Sequence, residues 1–155
     1  MTQPAVERFL ATVAAVGLAP EVREFDESTH TAAEAAAAIG CDVSAIVKSL
    51  LFEADGQPLL VLASGPNRVD TAALGARLGL TIGKADAAAV KRSTGYSIGA
   101  VPPLGHLSPL RTVFDETLLA LPVVWAAAGS ATAVFAIEPA ELARLTAAEV
   151  LPIGS

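Results

Sequence analysis

Ala45-Ile46-Val47-Lys48-Ser49-Leu50-Leu51-Phe52 is an apolar run with one cation in its middle. It reads as a strand buried on both faces. Side chains alternate along a strand, so Ile46, Lys48, Leu50 and Phe52 share one side. An ammonium in that company must reach water, an acidic partner or a ligand, because an unpaired buried charge is very costly. Two readings of Lys48 stay open on physics alone. Its stem can lie on apolar surface with the head in water. Alternatively, the cation holds an anionic or ester-bearing ligand at a pocket floor.

The neighbours of this strand define a mixed fold. Upstream, Thr31-Ala32-Ala33-Glu34 has capping-box form before an alanine-rich helix that Gly40 would end. Downstream, Asp55-Gly56 is a strong hairpin turn, so 58–64 returns antiparallel, with Pro58 at its start. Residues 4–16 carry Val6, Phe9, Leu10 and Val13 at helical spacing. A short extended piece at 22–25 follows. After the loop Gly65-Pro66-Asn67-Arg68, Asp70 can cap a helix to Leu78, and 86–92 forms another. Further strands are expected at 81–83, 112–114, 123–127 and 133–137, and a last helix at 139–145. Tyr96 to Ile98 is expected to be extended. Intermixed helices and strands with a hairpin give a mixed α/β class, at least partly antiparallel.

The second landmark is Ser93-Thr94-Gly95-Tyr96-Ser97-Ile98-Gly99-Ala100-Val101-Pro102-Pro103-Leu104-Gly105-His106. Glycine lets backbone N–H groups turn inward, and Pro-Pro stiffens their direction. Such a loop is either a rigid connection or a set of preorganised donors for a developing oxyanion. Gly129-Ser130 reads as a turn or a pocket wall. His106 and His30 read first as hydrogen-bonded structural histidines. The lysine strand and the glycine-proline loop are expected to face each other across a small pocket.

Composition narrows the function. The chain has 155 residues, net charge −6, 53% hydrophobic residues and a mean hydropathy of +0.55. No apolar run reaches transmembrane length, and no secretory leader is recognisable, so a cytoplasmic location without membrane contact is expected. One cysteine, Cys41, fits a reducing compartment. The acidic balance argues against broad nucleic-acid binding, which needs many phosphate contacts. Yet Lys48, Arg68, Arg77, Lys84, Lys91 and Arg92 gather between positions 48 and 92, enough to grip one end of a nucleic acid. No paired-cysteine or HExxH metal pattern, GxGxxG, GKT/GKS or GxSxG motif is present, so neither a metal nor a cofactor is expected.

With both landmarks placed, the chain resembles the YbaK/ProX family, free-standing relatives of the prolyl-tRNA synthetase editing domain. The residues that carry it are Ile46-Val47-Lys48-Ser49-Leu50 and the segment Arg92 to His106, with Thr31-Ala32-Ala33-Glu34-Ala35 and Ala128-Gly129-Ser130 fitting more loosely. The resemblance implies one domain over 1–155 and a curled, partly antiparallel, barrel-like sheet surrounded by helices. It implies hydrolysis in trans of the ester of a mischarged aminoacyl-tRNA carrying a small amino acid. The implied partners are the tRNA 3′ end and prolyl-tRNA synthetase. Lys48 and Gly99 match the family's catalytic positions. Thr31, Ser49, Ala100, Val101, Pro102, Pro103, Gly105, His106, Gly129 and Ser130 match or flank its substrate-binding positions. Around Phe135 the chain reads Ala133-Val134-Phe135-Ala136-Ile137, without the acidic residue of the cysteinyl-tRNA deacylase branch. Two other classes remain: a non-catalytic module that binds aminoacyl-tRNA or a synthetase, and a small-molecule-binding protein.

Overall fold

The computed structural model describes residues 4–25 and 31–154. His30 therefore lies outside the described residues. Helix α1 (Pro4–Ala14) buries Val6, Phe9 and Val13 on one stripe. Strand β1 (Val22–Glu24) is followed by α2 (Ala32–Ile39), whose N-cap Thr31 accepts from the Glu34 N–H at 3.1 Å. A 3₁₀ turn, Val43–Ala45, leads into β2 (Val47–Ala54). Asp55 and Gly56, both at positive φ, form the two-residue turn to β3 (Gln57–Ser64), as the Asp-Gly pair requires.

Helix α3 (Thr71–Leu78), β4 (Ile82–Lys84) and α4 (Ala87–Thr94) follow. The glycine-proline loop then leads to β5 (Arg111–Asp115). A 3₁₀ helix, Glu116–Ala120, precedes β6 (Val124–Ala127), β7 (Ala133–Ile137), α5 (Pro139–Thr146) and β8 (Glu149–Leu151). No helix is long and apolar enough to cross a membrane among the described residues.

The strands make two sheets, in orders β4-β2-β3-β5-β8 and β1-β7-β6. β2 pairs antiparallel with β3 and β4, whereas β3–β5 and β5–β8 are parallel. The mixed class holds, but the barrel-like closure does not. Among the described residues the sheets are hydrogen-bonded to each other only at an isolated parallel bridge, Ile46 to Trp125, and neither curls into a barrel. The physical reason lies on β2. Its outer edge pairs with β4 only from Phe52 to Ala54, so the edge over residues 47–51 has no ladder partner among the described residues.

That open edge also corrects the burial expected for the lysine strand. Residues 48–52 are only half-buried. The strand buried on both faces is its hairpin partner β3, fully covered from Leu59 to Ser64. Leu60 and Leu62 pack on one side with Phe9, Tyr96, Phe114 and Phe135, the Phe9 and Phe135 rings 5.2 Å apart. Leu59, Val61 and Ala63 pack on the other side with Leu74, Val113 and Ile153. Two faces of one strand thus organise two cores, and β2 is left to border a cavity.

Candidate functional site

The space beside the open edge of β2 is a cavity of about 520 Å³. Ile46 to Phe52 form one wall, and Trp125, Ala126 and Ala127 of β6 contribute another. Thr31, Ala32 and Ala35 come from the start of α2; Lys84, Ala85 and Val90 from β4 and α4; Ile98, Gly99 and Val101 from the glycine-proline loop. Ser130, Ala131, Ala133 and Val134 complete the lining. Because the cavity lies at a strand edge, side chains from both faces of β2 reach it. The register settles those faces: Lys48 lies opposite Ala63, with Leu50 and Phe52 on its side, and Ser49 opposite Leu62, with Val47 and Leu51.

Lys48 and Gly99 therefore line one cavity. The ammonium, however, does not end on the loop. Nζ donates to the backbone carbonyl of Asn67 at 2.6 Å. Burial pulls the Lys48 pKa below the ordinary lysine value; the nearby Arg68 charge pulls the same way and Asp115 opposes both. An ammonium has three N–H donors, so two remain after the Asn67 bond. Ser49 Oγ is hidden from solvent and has no hydrogen-bond partner among the described residues, although Ser49 lines the cavity. A buried hydroxyl in that condition gains from any ligand atom that bonds it.

The loop is pinned by hydrogen bonds, but not in the form the sequence suggests. Helix α4 continues to Thr94, and Tyr96 to Ile98 turn rather than extend. The Ala100 N–H donates to the Ser97 carbonyl at 2.9 Å, closing a turn with Gly99 at φ +85°. A type II turn demands positive φ at that position. The Ala100 N–H is thereby spent, and Pro102 and Pro103 carry none. Of this segment, Ile98, Gly99 and Val101 line the cavity. Arg8 braces the loop from α1: Nη2 donates to the Gly95 carbonyl, and the guanidinium lies 4.4 Å from the centre of the Tyr96 ring. His106 Nε2 donates to the Pro102 carbonyl at 2.7 Å, which makes Nε2 the protonated nitrogen.

The remaining expected site residues divide. Thr31 and Ser130 border the cavity, but each hydroxyl is engaged locally. Thr31 caps α2 and donates to Glu34 Oε1 at 3.2 Å, and Ser130 Oγ accepts from the Thr132 N–H at 3.3 Å. Ala100, Pro102, Pro103, Gly105, His106 and Gly129 lie off the lining. Gly129 has its own reason to be glycine. A Cβ there would meet the Ala5 carbonyl oxygen at 2.8 Å and the Tyr96 ring at 3.1 Å, so α1 and the Gly95–Tyr96 segment close over it. Among the lining residues not expected at the site is Trp125, and the sequence marks Lys84 only as one of the cations between positions 48 and 92; the packing of β6 and β4 brings them here. Among the described residues no acid or histidine lines the cavity, and the charged lining groups are Lys48 and Lys84. No cluster of His, Cys, Asp and Glu suited to a metal ion occurs among the described residues.

The site is thus an apolar chamber bordered by the side chains of Lys48 and Lys84 and by the Gly99 turn. The model of the aminoacyl-tRNA editing domain matches residues 26–145, and the chain belongs to that family, the YbaK/ProX group. It is 30% identical over 131 residues to the uncharacterized protein YwhH of Bacillus subtilis (strain 168), covering 84% of this chain and 83% of YwhH. It is 34% identical over 91 residues to the proline–tRNA ligase of Nitratidesulfovibrio vulgaris (strain DP4), covering 58% of this chain but only 16% of that ligase. A crystal structure described as a candidate trans-editing enzyme for prolyl tRNA synthetase superposes with a TM-score of 0.95 at 39% identity. That superposition covers 100% of this chain and 99% of the other.

Proposed function

We propose that the protein is a cytoplasmic aminoacyl-tRNA deacylase that acts in trans, hydrolysing the ester between a small wrong amino acid and the 3′-terminal ribose of tRNA. The observation that carries this reading is that Lys48, Gly99 and Val101 line one apolar cavity. Family membership supports it independently. The terminal nucleotide and its aminoacyl group occupy the cavity. The Lys48 ammonium binds a phosphate or another substrate oxygen. The Gly99 and Val101 N–H groups face the carbonyl oxygen as it becomes an oxyanion. Fixed donors of this kind stabilise a tetrahedral intermediate without reorganising.

Among the described residues no acid or histidine lines the cavity, and in this reading the attacking water is activated by the substrate itself. Water adds to the ester carbonyl carbon, the bond to the ribose oxygen breaks, and that oxygen takes a proton. Free amino acid and a 3′-hydroxyl result. The ester is already labile, so orientation supplies much of what is needed. Selection is steric: apolar walls distinguish one methylene by ~1–3 kcal/mol. Prolyl-tRNA synthetase, the source of mischarged tRNA in this reading, is the expected functional partner.

That no side-chain base lines the cavity among the described residues favours a second reading, a module that binds charged tRNA without cleaving it. One assay separates the two. Wild type and Lys48→Ala are incubated with a panel of mischarged tRNAs and released amino acid is measured. Lys48→Ala should lose on the order of 10²-fold in rate, as expected when one charge-stabilising donor is removed. Charged tRNA that is retained by the wild type yet never deacylated would establish the binding module instead.

A further inference from the structure

Lys48 stands at the end of a network that leads away from the cavity. Its acceptor, the Asn67 carbonyl, belongs to a loop residue held at three points. The Asn67 N–H donates to the Ser64 carbonyl at 2.9 Å. Its side-chain Nδ2 donates to Asp115 Oδ2 at 2.9 Å and to Thr117 Oγ1 at 3.0 Å. Asp115 is only 1% exposed, at the end of β5. Its carboxylate accepts from the backbone N–H groups of Ser64, at 3.0 Å, and Thr117, at 3.0 Å. The network thus ties β3, the Asn67 loop and the start of the Glu116–Ala120 turn to one buried carboxylate, and presents a single carbonyl to the lysine.

A lysine head on a flexible four-carbon stem has no preferred position of its own. Held by a fixed acceptor, it loses that freedom before substrate arrives, and its remaining N–H groups acquire a direction. We infer that Asn67 and Asp115 are positioning residues that fix the Lys48 ammonium at the cavity wall. This rests on the reading of Lys48 as the cation that meets substrate, and it extends that reading to residues that line no part of the cavity.

The test uses the full chain with Asn67→Ala, Lys48→Ala and the double variant. With Asn67→Ala, kcat for deacylation should fall by on the order of 10- to 100-fold, the range a small misplacement costs. In the Lys48→Ala background the same substitution should have no further effect, since residues acting through one another are not additive. A residue that merely supports the fold would lower both backgrounds alike. Independently of activity, NMR of the Lys48 ε-methylene should show its titration midpoint rising toward the ordinary lysine value as the head is released to water. Thr117→Val removes one anchor from an exposed residue and should give a smaller rise, even if Asn67→Ala folds poorly. An unchanged midpoint in both variants, or additive rate effects, would overturn the inference. Full activity of Lys48→Ala would instead overturn the deacylase role of Lys48, while the titration would still decide whether Asn67 holds the ammonium.

Discussion

His106 shows how a residue next to the site can matter without touching substrate. Its Nε2–H bond to the Pro102 carbonyl joins the two ends of the Pro102–His106 bend. Burial drives its pKa below the ordinary histidine value, with the Pro102 bond only partly opposing. The folded state therefore binds fewer protons than the unfolded state between the depressed value and the ordinary one. Stability then rises with pH across that window and falls on acidification through it. Denaturation midpoints should drop as pH falls from about 7 to about 5, and His106→Asn should flatten that drop, the ordinary histidine value lying near 6.5. An identical slope in the variant would show that other groups carry the acid sensitivity. Lys48 has the same sign at alkaline pH: its ammonium is disfavoured by folding, because burial and Arg68 outweigh Asp115.

At the scale of elements, the glycine-proline loop is the piece whose conformation the proposed chemistry depends on. Gly99 sits at φ +85°, and a Cβ added there would have no atom within 4 Å. The cost of Gly99→Ala is then backbone strain alone, about 1–2 kcal/mol. Urea titration should register that loss. Deacylation should fall further than the lost stability explains, since a relaxed turn redirects the Gly99 and Val101 N–H groups. A variant as stable and as active as the wild type would remove the turn from the mechanism. β2 and β3 teach a related lesson. Both read as apolar strands, and the pattern around Lys48 points to β2 as the doubly buried one. Strand position in the sheet decides burial, and β3 sits between β2 and β5 whereas β2 borders the cavity. β8, three residues long, has no periodicity to read and is a strand only because β5 offers it an edge.

At the scale of the molecule, the cations gathered between positions 48 and 92 do not form one patch. Arg77 does not line the cavity and donates to the carbonyls of Pro152 and Gly154. Lys84 lines the cavity, and Lys91 and Arg92 lie exposed in the last turn of α4, one and two residues past the lining residue Val90. These three make no ion pair among the described residues. Under the proposed function, these cations in a chain of net charge −6 are the candidates for holding a tRNA phosphate backbone. Replacing Lys91 and Arg92 by Ala should weaken tRNA binding and lower the slope of log affinity against log salt by about 1 for each phosphate no longer neutralised. An unchanged slope would place the tRNA elsewhere.

From the sequence alone came the hairpin at Asp55-Gly56, the caps of α2 and α3, most strand positions and the pairing of a lysine strand with a glycine-proline loop. Those features are local: turn chemistry, capping and periodicity act over a few residues and leave a mark in any one stretch. The failure of the sheets to close, the open edge of β2, the spent Ala100 N–H and the Asn67–Asp115 support beneath Lys48 were decided by tertiary structure. They join positions 48, 67 and 115, or 46 and 125, whose meeting depends on how whole strands order themselves, and no short-range pattern encodes that order.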